Sequence, residues 1–102
     1  MTKEFTPINA SGVSISATST SASGVLIATG DKILVSNKGD KWASYRIGSC
    51  AQTAVVADTL IAPGTQHLIG KSLSGATFSN ATHAAVVTTG ADTTTVVFSS
   101  VY

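Results

Sequence analysis

The sequence predicts an all-β fold: a small antiparallel β-sandwich or barrel, jelly-roll-like or Ig-like, of about seven or eight short strands. Three observations carry this. Charged residues make up only 11% of the 102-residue chain, against about 25% in ordinary globular proteins, and Ser, Thr, Ala and Val fill the gap. β-branched Thr and Val lose rotamer freedom in a helix and pack well on a pleated surface, so the composition favours strands. Apolar and polar residues alternate over short runs punctuated by Gly, Pro and Asp, and no long window holds a helical period.

The length fits one domain, residues 1–102, with residues 1–23 as an N-terminal arm or a first strand. Val13, Ile15 and Ala17 alternate with Ser14, Ser16 and Thr18, the pattern of a half-buried strand. Phe5 and Ile8 lie outside it, as caps on the core or as part of an arm reaching a neighbouring subunit. The words Ala10-Ser11-Gly12-Val13 and Ala22-Ser23-Gly24-Val25 repeat a turn-then-strand entry. The second leads into Val25-Leu26-Ile27-Ala28, a continuous apolar run that suits a strand buried on both faces.

Residues 33–48 read as a hairpin closed by a tight polar turn at Asn37 and Gly39, both placed where positive φ is tolerated. This stretch holds the one Trp and the one Arg. The period of two groups Ile33, Val35, Ala43, Tyr45 and Ile47 as the core side, and turns Trp42 and Arg46 outward, about 13 Å apart at about 3.3 Å per residue.

Further on, Val55-Val56 and Leu60-Ile61 are short strand candidates, Pro63-Gly64 marks a turn and residues 66–69 form a strand. Residues 71–82 read as a long loop anchored by Phe78. A final hairpin runs through residues 84–88, a turn at Thr89-Gly90, and residues 93–102. Its last strand has no Pro to protect an open sheet edge, a liability that pairing with another subunit would remove.

The residues offer little chemistry. His67 and His83 form no close ligand pair, so no metal or other cofactor is expected. Cys50 stands alone and reads as a small packed residue, with no intrachain disulfide available. Ser, His and Asp are present without a nucleophile elbow, and the acidic residues are mostly turn formers beside Gly. The five Lys are scattered and the net charge is +1, so nucleic acid is not an expected partner. The start lacks a signal-peptide apolar run, and the longest apolar stretch is too short to span a bilayer, so no membrane is expected either. What remains is interaction: Trp and Arg are the residues most enriched at binding hot spots, which singles out Trp42 and Arg46. Phe5 and Tyr102 join them as apolar residues near the termini that another subunit would cover.

The order of the motifs resembles a known group. Val35-Ser36-Asn37 with Gly39, then Tyr45-Arg46-Ile47-Gly48, then Pro63-Gly64-Thr65, then Thr89-Gly90 leading to Val96-Val97-Phe98, is similar to small all-β virion proteins of tailed bacteriophages. The similarity covers roughly residues 24–100, and the chain departs from it in the longer 71–82 loop and in ending on Val101-Tyr102. The resemblance implies a non-enzymatic capsid decoration, cement or head-fibre role. It implies the major capsid protein or other virion proteins as partners, a homo-oligomer, and a place in the virion after synthesis in the host bacterial cytoplasm. It carries over no catalytic residue. A connector, tail or fibre component is the alternative. A carbohydrate-binding or adhesin module is a second, although Trp42 and Tyr45 point to opposite faces of one strand and make a poor sugar platform.

Overall fold

The computed structural model describes residues 8–9, 11–26, 30–48, 52–70 and 82–102. They form eight strands: β1 (Val13–Ala17), β2 (Ala22–Val25), β3 (Lys32–Asn37), β4 (Ala43–Gly48), β5 (Thr59–Ile61), β6 (Gln66–Gly70), β7 (His83–Val87) and β8 (Thr94–Val101). Two four-stranded antiparallel sheets result: sheet A in the order β1-β8-β3-β6 and sheet B in the order β2-β7-β4-β5. Only β4 and β5 are both consecutive and paired; every other connection crosses from one sheet to the other. That is the strand order of a jelly roll, which resolves the choice left open between jelly-roll and Ig-like topologies.

Two expected hairpins are therefore corrected. β3 pairs with β6 and β8, β4 pairs with β5 and β7, and the residues between β3 and β4 form a corner that passes between sheets. β7 and β8 are likewise in different sheets. β8 is no open edge, since it is covered by β1 on one side and β3 on the other. The face assignment survives because both strands of the corner turn one side inward. Ile33, Val35, Ala43 and Tyr45 share one buried cluster with Ile15, Ile61, Val86, Val96 and Phe98, and Ile47 packs against it partly buried. Each large aliphatic or aromatic side chain buried there contributes about 1.5 to 3 kcal/mol.

One side chain, that of Asn37, ties the corner to both sheets. Asn37 faces inward and is 2% exposed. Its Nδ2 donates to Lys41 O (2.8 Å) and Ile61 O (3.1 Å), and its Oδ1 accepts from Gly39 N (3.1 Å) and Thr94 Oγ1 (2.7 Å). One amide thus satisfies groups from both sheets, as a buried polar group must. Gly39 is needed for close approach and not for positive φ: a Cβ there would collide with the Thr94 side chain. Positive φ is found instead at the predicted turn glycines Gly64 (72°) and Gly90 (60°), and at Gly30.

Two further expectations change. Val25 ends β2 at a sheet edge and is exposed, so that strand is not buried on both faces. Ile27 and Ala28 lie outside the described residues. Val55-Val56 is not a strand; it belongs to a loop that folds across sheet B. Phe5, Cys50, Phe78 and residues 71–81 also lie outside the described residues.

Candidate functional site

Alternation and register fix what each sheet shows to solvent. On sheet B the inward set is Ala22, Ala43, Tyr45, Ile61, Ala84 and Val86, so Ser44, Arg46, Leu60, Ala85 and Val87 face outward. Yet Ser44, Ala85 and Val87 are buried. The cover is the β4–β5 connection: Ala54 packs on Ala85 and Val87, and the Ser44 hydroxyl donates to Val56 O at 3.1 Å. Ala54 N donates to Ser21 Oγ at 2.8 Å, which fastens the same loop toward β2.

Asp58 closes this strap. Its Oδ1 accepts from Arg46 Nε (3.1 Å) and Nη2 (3.0 Å), and its Oδ2 from Val55 N (2.8 Å). The Val55 backbone bond, with the Arg46 charge and hydrogen bond adding to it, holds the Asp58 carboxyl below its ordinary pKa against an opposing desolvation. Arg46, predicted as an interface residue, is therefore engaged within the chain.

Large apolar residues are exposed on or next to the strap and β4: Trp42 (57% exposed), Leu60 (55%) and Val56 (54%), with Val55 beside Val56 in the chain. Leu60 lies directly opposite Ser44, and Trp42 precedes Ser44 by two residues, immediately before β4. Val56 is joined to the same Ser44 through its carbonyl. Backbone placement thus sets Leu60, Val56 and Trp42 next to Ser44 or two residues from it, each with an exposed apolar side chain. Residue type singled out Trp42; Leu60 and Val56 were missed because their exposure depends on strand pairing and on how the strap lies. Tyr102 is exposed one residue past the end of β8, a strand of the other sheet.

Tyr45, by contrast, is core. Its ring meets Phe98 edge-on at 6.0 Å, and its hydroxyl lies 2.9 Å from His67 Nδ1 on β6, tying sheet B to sheet A. Burial raises its pKa above the ordinary 10.0. Trp42 and Tyr45 accordingly form no common ring platform.

Other chemistry is sparse. An open hollow of about 400 Å³ is lined by Ser36, Asn37, Lys38, Gly64, Thr65 and Gln66, of which Lys38 alone is ionisable. Among the described residues no three His, Cys, Asp or Glu side chains group to hold a metal, and no helix is long and apolar enough to cross a membrane. Comparisons of the chain with protein-family models, curated proteins and solved structures gave no match.

Proposed function

We propose that this chain is a non-enzymatic structural protein of a tailed-bacteriophage virion, a decoration or cement protein that binds the assembled head shell in many copies. The observation that carries the reading is the exposed apolar group of Trp42, Leu60 and Val56 on a domain whose sequence is poor in charge. Large exposed apolar groups mark protein interaction sites, and Trp is the residue most enriched at their energetic centres. The motif order of the sequence supplies the class of partner, the major capsid protein or another virion protein. Fold alone does not select it, since jelly rolls serve many functions.

The mechanism is avidity. One such patch buries a small interface, of order 1,000 Å². An oligomer that touches several shell subunits raises the effective concentration of each further contact to about the millimolar range, and binds tightly without any single strong site. The test is co-purification with virions and counting of copies. Hundreds of copies per particle support the shell, a single ring of copies supports the alternative of a connector, tail or fibre component, and absence from particles overturns both.

A further inference from the structure

We propose that β6 is a self-pairing edge, through which two copies of the chain join their A sheets across a two-fold axis. The ladder between β3 and β6 decides which backbone groups are free. Asn37 N donates to Thr65 O at 3.0 Å, and antiparallel partners alternate between hydrogen-bonded and non-bonded pairs. With the register Val35↔His67 and Ile33↔Ile69, the odd-numbered residues of β6 bond to β3. The N–H and C=O groups of Gln66, Leu68 and Gly70 therefore point away from it. β6 is the last strand of sheet A, and among the described residues nothing bonds to those groups.

This edge has none of the usual protection. Residues 66–70 contain no Pro, Lys, Arg, Asp or Glu, and their register with β3 runs without a bulge. It is also self-complementary. The free groups belong to three residues placed symmetrically about Leu68. Antiparallel pairing of two copies centred there sets Leu68 against Leu68 and Gln66 against Gly70, so that every free donor meets a free acceptor. Leu68 and its neighbour Leu34 are both partly exposed on the outer face, and the pairing extends that apolar strip across the seam.

The other edges fit less well. By the same alternation β1 turns only Ser14 and Ser16 to its open side, β2 only Ser23 and Val25, and β5 only Leu60. None combines three free residues with an apolar outer centre. The pairing stands on the fold alone and is independent of the virion reading, so pure protein tests the one and particles test the other.

The experiment is sedimentation velocity of the full chain over a concentration series, with amide hydrogen exchange on the same samples. The expected result is a species of twice the 10.3 kDa chain, with Leu68 amide exchange slowing as concentration rises. Leu68→Pro removes an N–H that β3 does not use, so it leaves the ladder intact and raises the dimer dissociation constant at least about tenfold. Leu68→Lys, which sets like charges opposite each other, gives the same direction if the Pro variant does not fold. Ser14→Pro on the β1 edge leaves the dimer unchanged. A monomer at every concentration, a Leu68 amide indifferent to concentration, or a dimer that survives both Leu68 variants overturns the proposal.

Discussion

The two sheets are alike inside and unlike outside. Inside, both contribute alternating aliphatic residues to one cluster, and Asn37 and the Tyr45–His67 hydrogen bond tie them together. Outside, sheet A presents Ser14, Ser16, Thr95 and Ser99 around a strip of Leu34, Val97 and Leu68, directly on the strands. Sheet B instead buries Ala85 and Val87 beneath residues 52–58 and carries its exposed apolar groups partly on that strap. An outward position on a strand is therefore not the same as a surface position: Val87 faces outward and is buried, whereas Trp42 and Leu60 are exposed.

Placing the same charge on the outer face of each sheet separates the two most strongly. Val87→Asp puts an unpaired carboxylate under the strap and is expected to cost about 3 to 5 kcal/mol. Ser16→Asp, on the exposed face of β1, stays within about 0.5 kcal/mol. Denaturant unfolding of the two variants measures the contrast, and equal costs would mean that the strap does not seal sheet B.

Asn37→Ala attacks what the two faces share. It leaves Lys41 O, Ile61 O, Gly39 N and Thr94 Oγ1 without their partner, at about 1 to 3 kcal/mol for each group left buried and unpaired. A loss of at least about 3 kcal/mol is expected from the same unfolding measurement.

Two groups with shifted pKa values, one in the core and one in the strap, separate these regions. Tyr45 has a raised pKa in the folded state, so its contribution is complete below about pH 10 and is lost as pH rises through the folded value. Asp58 has a lowered one, so its contribution is present above about pH 4 and is lost as pH falls through the folded value. Alkali therefore destabilises the whole sandwich, whereas acid loosens the strap first. Hydrogen exchange at Ala54 and Val55, compared with core amides, distinguishes the two. The smallest effect is Arg46→Ala, which removes a partly exposed ion pair and costs about 0.2 to 1 kcal/mol. It should speed exchange in the strap and leave β8 unaffected.

How much of this was legible in the sequence follows the range of the interactions involved. Strand positions were readable from alternation, as in Val13–Ala17, and so was the sharing of one core by Ile33, Val35, Ala43 and Tyr45. Both depend on neighbours two residues apart. The partners of β3 and β4 were not readable, because a hairpin and a sheet-crossing corner use the same turn residues. What separates them is Asn37 reaching Ile61 and Thr94, which lie far along the chain. The candidate site divided in the same way. Trp42 stood out by residue type. Arg46 also did, but its ion pair with Asp58 depends on the course of the strap, as does the exposure of Val56.

The claim that the Trp42 side of sheet B is the docking surface is tested most directly by sedimenting bacteriophage shells with wild-type protein and with the Trp42→Ser, Leu60→Ser double variant. Both residues are exposed, so the variant is expected to keep the wild-type circular dichroism and unfolding midpoint. Wild type is expected to pellet with the shells and the variant to stay in the supernatant. A variant that pellets as wild type does, or a wild type that never pellets, would contradict that claim.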